Sequence, residues 1–186
     1  HPLAAALAPE DMPDNTLSPT THPPRVLGID PGLHTTGYGV LELRGTGPVI
    51  CEAGVVRSRA SGPLETRLAE IYEGVRDVIR SLTPQLMAVE ELYSHYERPR
   101  TAILMGHARG VICLAAAEAE IPVKHYAATQ VKRLLTGSGR ATKTQIQQAI
   151  CREFSLAALP EPPDVADALA IALCHFYLDK HKVIRS

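Results

Sequence analysis

Hydrophobic and polar positions divide the chain into segments of two periods. From Arg25 to Asp30 the residues RVLGID form a short apolar run ended by Pro31-Gly32, the pattern of a buried strand. Segments 35–43 and 48–57 are β-rich, and Arg44-Gly45-Thr46-Gly47 between them supplies hairpin residues. Leu64, Leu68, Ile71, Val75, Val78 and Leu82 then recur at steps of three and four, which predicts a helix over 64–82 that Pro84 stops. Residues 85–92 (QLMAVEEL) return to an apolar strand with two acids near its end. The alanine-rich segment 101–120 predicts a helix and 122–126 a short strand. Two short helices follow over 127–135 and 142–153, parted by Gly137-Ser138-Gly139. A last helix over 164–178 is announced by Pro160, Pro162 and Pro163.

The order β-β-β-α-β-α-β-α-α-α predicts an α/β fold with a mixed five-stranded sheet flanked by helices. Two hairpin links make the third strand run parallel to the first, and a helical crossover lets the fourth do the same. Residues 1–24 carry Pro2, Pro9, Pro13, Pro19, Pro23 and Pro24 with little that could pack, and are expected to be a disordered extension or tag remnant. The ordered domain is expected over 25–180, with no internal repeat and no second domain.

With 186 residues, 45% of them hydrophobic, the chain can bury one ordinary core, and no apolar run approaches the ~20 residues that span a bilayer. Cys51, Cys113, Cys151 and Cys174 show no CxxC pairing, which points to a reduced, cytoplasmic setting and away from structural zinc. The net charge of −1 first argues against a nucleic-acid partner. Its distribution reverses that: segment 121–152 has no Asp or Glu but holds Lys124, Lys132, Arg133, Arg140, Lys143 and Arg152. A local basic face binds phosphates whatever the total charge, although such a face can equally be a solvated helical surface.

Ligands of open α/β sheets bind at the carboxyl ends of parallel strands. Asp30 ends the first strand and Glu90 lies near the end of the fourth, so neighbouring placement would open both onto one edge. Asp164 and Asp167, three apart, share one face of the last helix near its N-terminus, where the dipole favours their ionised form. Four converging carboxylates repel unless cations lie between them, and hard oxygen donors suit magnesium or manganese. Each acid also has a plain structural explanation: Asp30 as a turn residue, Asp164 as a helix cap, Asp167 as a dipole partner, Glu90 as a solvated strand end. Alternation puts Glu90 and Glu91 on opposite faces without saying which one points into the site.

Gly28-Ile29-Asp30-Pro31-Gly32 followed by Thr36-Gly37-Tyr38-Gly39-Val40 resembles the opening of the RuvC Holliday-junction resolvase family. Ala88-Val89-Glu90 with Tyr93 is similar to that family's second motif. Gly106-His107-Ala108-Arg109-Gly110 and Tyr126-Ala127-Ala128-Thr129-Gln130-Val131-Lys132 resemble its middle blocks, and Asp164-Val165-Ala166-Asp167-Ala168-Leu169-Ala170 its last motif. The blocks stand in family order. The resemblance implies a ribonuclease-H-like fold, a homodimer, a branch-migration helicase as co-worker, and paired nicks across four-way junction DNA. It selects Glu90 over Glu91, and implies Asp30, Glu90, Asp164 and Asp167 as catalytic and metal-binding residues. It further implies Lys132, Lys143, Tyr93 and Arg109 as DNA-binding residues, with a structural role as the alternative for Arg109 and a plain core or edge aromatic as the alternative for Tyr93. Some members carry His where Asp164 stands, so this donor set is all oxygen.

The mechanism expected on this basis uses two magnesium or manganese ions ~3.5–4 Å apart, with in-line attack of water leaving 5′-phosphate and 3′-hydroxyl ends. Three rivals are an actin- or sugar-kinase-like ATPase, a ribonuclease-H-like nuclease acting on RNA, and a non-catalytic junction-binding scaffold. The first needs a second similar domain, which the chain lacks room for. The last would be marked by a missing acid, and all four are present.

Overall fold

The computed structural model describes residues 22–91 and 98–183. Strand β1 (Arg25–Asp30) is buried from Val26 to Ile29, as an apolar strand covered on both faces must be. β2 (Thr35–Arg44) pairs with it antiparallel, and β3 (Gly47–Arg57) completes a hairpin with β2 whose register shifts between Val40 and Leu41. Helix α1 (Leu64–Leu82) ends where Thr83 turns into the left-handed region (φ 44°) and donates its backbone N–H to Ile79. The chain then enters β4 (Leu86–Glu90), parallel to β1. Helix α2 (Pro99–Glu118) leads to β5 (Val123–Tyr126), parallel to β4. Three helices follow: α3 (Ala128–Thr136), α4 (Lys143–Glu153) and α5 (Pro163–Val183).

The sheet order is β3-β2-β1-β4-β5, the five-stranded mixed sheet the pattern predicts. β1 and β4 are neighbours, with Ile29 opposite Val89, so Asp30 and Glu90 follow one step beyond their last paired residues. Alternation sorts the strands onto two cores. Leu27, Ile29, Val40, Met87 and Val89 pack against Ile71 and Val75 of α1 and Ala108 and Ile112 of α2. Val26, Leu41 and Ala88 pack against the opposite layer, built from α3, α4 and above all α5.

α5 packs directly on the backbone of its face of the sheet because both sides are stripped of bulk. It carries Ala166, Ala168, Ala170 and Ala172 among its buried residues. Below it, β1 and β2 present Gly28, Gly37 and Gly39. A Cβ on Gly28 would stand 2.1 Å from the Ala168 carbonyl oxygen, and one on Gly39 2.6 Å from the Leu169 side chain. The loop before α5 is held by Gln147 of α4, which donates to the Pro160 carbonyl at 2.9 Å. α4 itself starts at a capping box in which Thr142 and Gln145 satisfy each other's backbone N–H groups.

Element ends differ from expectation in places. α5 begins at Pro163 and runs to Val183, past the expected 164–178, so Asp164 is the second helical residue rather than its cap. Proline suits a first helical position because its missing N–H has no intrahelical partner there. β1 starts where expected, and the residues just before it are already engaged: Pro24 accepts from Leu43 N–H at 2.7 Å, and His22 bonds Thr83 at 2.5 Å. Among the described residues no helix is long and apolar enough to cross a membrane, and all four cysteines are free thiols.

Candidate active site

Face assignment settles which acids meet. Gly28 lies under α5 and Asp30 is two residues on, so the Asp30 side chain leaves β1 on the α5 face. Ala88 packs in the α5 core, which puts Glu90 on that same face and Glu91 on the other. Asp167 hangs from α5 above them. Asp30, Glu90 and Asp167 line one cleft of about 180 Å³, together with Lys132 of α3 and Lys143 of α4. Asp164, one turn before Asp167, stands against Gly37 and adds its charge to the field at Asp30.

The electrostatics of this cluster follow from half-buried like charges. Burial, then the charges of Asp167, Glu90 and Asp164, push the Asp30 carboxyl up to about 8 from an ordinary 3.8, against the lowering effect of Lys143. Glu90 is raised by burial and by Asp167, opposed by Lys132, Arg109 and Lys143. Asp167 is raised chiefly by burial, with Lys143 pulling the other way. Lys143 Nζ lies 3.9 Å from Asp167 Oδ2, while 69% of the lysine side chain stays exposed, so it can turn outward to a ligand. Among the described residues no three acid, thiol or imidazole groups already close around a single point, as expected of uncompensated anions.

The rest of the cleft wall is apolar: Ala128, Val131, Ile146, Ala170 and Ile171. That wall lowers the local dielectric and strengthens every charge interaction within the cleft.

Arg109 projects from α2 toward the same region. One guanidinium nitrogen donates to the backbone carbonyl of Glu90, and the other lies 2.9 Å from His125 Nδ1. It braces the end of β4 through the main chain. Tyr93 lies outside the described residues.

A family profile described as crossover junction endodeoxyribonuclease RuvC matches residues 26–175. The chain belongs to the RuvC family. The crossover junction endodeoxyribonuclease RuvC of Rhodopirellula baltica is 56% identical over 158 residues, covering 85% of this chain and 89% of that protein. Its counterpart from Desulforamulus reducens is 46% identical, covering 81% and 91%. Among solved structures, Thermus thermophilus RuvC in complex with a Holliday junction substrate superposes with a TM-score of 0.77 at 35% identity, covering 84% of this chain and 96% of that one. The yeast mitochondrial Holliday junction resolvase Ydc2, at 13% identity and a TM-score of 0.59, shares the fold alone.

Several contributors to the site were not singled out from sequence. The glycine seat under α5, the apolar cleft wall and the bond from Arg109 to the Glu90 carbonyl all belong to it. The seat had a readable signal: glycines at 28, 37 and 39 and alanines along the last motif are complementary hollows and small knobs. The Arg109 bond had none, because a main-chain acceptor leaves no trace in residue identity.

Proposed function

We propose that this RuvC-family chain is a divalent-metal-dependent endonuclease that resolves four-way DNA junctions by paired nicks leaving 5′-phosphate and 3′-hydroxyl ends. The observation that carries the reading is the juxtaposition of Asp30 and Glu90 on neighbouring parallel strands beneath Asp167, with Lys132 and Lys143 on the rim. The donor set fits a hard cation: it is all oxygen, half-buried, and raised in pKa by burial and then by mutual repulsion, both of which a cation would offset. Asp30, Glu90, Asp164 and Asp167 would hold two magnesium or manganese ions, which when bound supply Lewis-acid activation for phosphodiester hydrolysis.

The chain's own residues do the rest. Asp30 is central, since the charges of the other three acids all reach it. Lys132 and Lys143 attract the phosphate and offset its charge at the cleft mouth. The apolar wall from Val131 to Ile171 keeps bulk water off one side. Arg109 fixes the main chain at Glu90, and so the carboxylate, without needing to touch DNA.

Paired nicks require two sites, and α2 offers a face for a second copy. Ile103 (62% exposed), His107, Gly110 and Leu114 (49% exposed) form an outward stripe, and no atom stands within 4 Å of a Cβ built on Gly106 or Gly110. A smooth stripe of this kind, apolar but for His107, suits close packing against the same stripe of a symmetry mate. The reading also carries action on DNA in the bacterial cytoplasm beside a branch-migration helicase, and base contact by Tyr93.

The test is incubation with a labelled four-way junction and magnesium or manganese, with linear duplex of the same sequence as control. Paired, symmetric, metal-dependent cuts near the junction centre are expected. Equal cutting of duplex and junction, or none with either ion, overturns the reading.

A further inference from the structure

The sheet edge that carries the acids also carries a second cluster of positive charge, on the opposite flank from Lys132 and Lys143. Arg57 is the last residue of β3 and pairs with Thr35. Its neighbour Val56 turns toward α1, where a Cβ on Gly74 would meet it at 2.3 Å, so the Arg57 side chain leaves on the α5 face with Asp30. β2 separates β3 from β1, so Arg57 stands two strand spacings, about 10 Å, across from Asp30. It is exposed and sits two residues further out along the edge than the Gly37–Val55 pair that is level with Asp30.

Two loops bring more basic groups to the same end of the edge, on its α1 side. Ser58 N–H donates to the His34 carbonyl at 3.0 Å and the Ser58 hydroxyl to the Leu33 carbonyl, stitching the β1–β2 turn to the segment after β3. Arg67, in the first turns of α1, lies with a guanidinium nitrogen 3.1 Å from His34 Nδ1 and 3.2 Å from Nε2, against the ring rather than against a carboxylate. Among the described residues its Nε has no hydrogen-bond partner. Of the acids nearby, Glu70 is bonded by Arg59 through both main chain and side chain at 2.8 and 2.7 Å and also feels the charge of Arg67, and Glu65 is exposed in the first turn of α1. Among the described residues neither Arg57 nor Arg67 forms an ion pair.

Arg57 leaves the edge on the α5 face and Arg67 approaches it from α1, and with Arg59 they set three arginines against Glu70 and Glu65, a surplus of positive charge that an anion would offset. We propose that Arg57, Arg67 and His34 form a second phosphate-binding patch, holding the DNA backbone on the far side of the acid cleft from Lys132 and Lys143. This rests on the nuclease reading and deepens it: the substrate strand is gripped on both flanks, and the acids lie between the two grips. Arginine suits the task, since its planar fork matches phosphate oxygens.

The experiment measures junction affinity across a range of salt concentrations, with EDTA present so that nothing is cut. Arg57→Gln and Arg67→Gln should each lower the magnitude of the log–log salt slope by about 0.9, one phosphate contact apiece. Arg67→Lys should recover the slope, since charge rather than packing is at stake. Arg80→Gln, exposed at the other end of α1, should leave it unchanged. A neutral methylphosphonate linkage at the contacted position should weaken the parent but not Arg57→Gln. If the Arg57 and Arg67 variants keep the parent slope while Lys132→Ala lowers it, the patch is overturned and the nuclease reading stands. If Arg67→Gln only lowers the melting temperature, Arg67 is structural and the patch is likewise overturned. A parent with no preference for the junction over duplex removes both readings.

Discussion

A β-carbon on Gly37 would lie 2.1 Å from the carbonyl oxygen of Asp164. The seat of α5 and the position of its two acids are therefore one and the same feature. Gly37→Ala must push the start of α5 off the sheet or distort β2, at a cost of about 1–3 kcal/mol, or more, as overpacked sites show. Chemical denaturation should register that loss, and junction cleavage should fall further than stability alone accounts for. An alanine variant with parental melting and parental cleavage would mean that the helix can ride higher without harm.

Asp30 gives a prediction with a definite sign. Its carboxyl titrates at about 8 when folded against 3.8 ordinarily, so the folded chain binds a proton that the unfolded chain has released. Metal-free stability should accordingly fall as pH rises from 3.8 toward 8 and stay low above it. Asp30→Asn removes the penalty, so at pH 8 without metal this inactive variant should melt higher than the parent, by about 2–4 °C per kcal/mol relieved. Magnesium should raise the parent's melting temperature more than the variant's. A variant that melts lower than the parent under those conditions would contradict the repulsion.

Glu90 and Glu91 are neighbours with opposite fates. Glu90→Gln should reduce cleavage by on the order of 100-fold or more, as loss of a preorganised charge does. Glu91→Gln, on the exposed opposite side, should stay close to the parent. Steady-state cleavage of a labelled junction separates them, and equal loss in both would undo the face assignment.

Arg109 should behave as a positioning residue. Arg109→Gln removes its charge and its grip on the Glu90 carbonyl, and displaced catalytic groups typically cost 10- to 100-fold. The loss should fall on kcat, with junction affinity nearly unchanged, and Arg109→Lys should recover part of it. A loss confined to binding would return Arg109 to the DNA-contact role expected from sequence.

The α2 stripe predicts an assembly. Leu114→Glu, at a half-exposed position, should leave the monomer's melting intact but shift the protein to a monomer in sedimentation. Nicks should then be made singly instead of in pairs. Parental sedimentation by this variant would move the dimer contact elsewhere.

The fold was legible because its strands and helices differ sharply in period. The run at Arg25–Asp30 and the three-four spacing of Leu64 to Leu82 each match the observed element. The acids could be named through motif order, but periodicity alone could not choose between Glu90 and Glu91. That choice depends on Ala88 facing α5, a tertiary fact. The start of α5 was misplaced by one residue because Asp164 reads locally as a cap, whereas Pro163 is already helical. Arg57 and Arg67 leave no such signal, because they are ten residues apart and are brought to one end of the sheet edge only by the stitched loops around His34 and Ser58.

The parallel pairing of β1 with β4 has a further consequence, in time rather than space. Asp30 and Glu90 are 60 residues apart in the chain, and Asp167 follows 77 residues later still. Contacts between such distant segments form late, after the closure entropy of the intervening loops has been overcome. A chain still emerging from synthesis, or one that has lost its last helix, lacks Asp164 and Asp167 above the paired strands and so has an incomplete set of acids. The complete acid site is thereby confined to molecules that have finished folding.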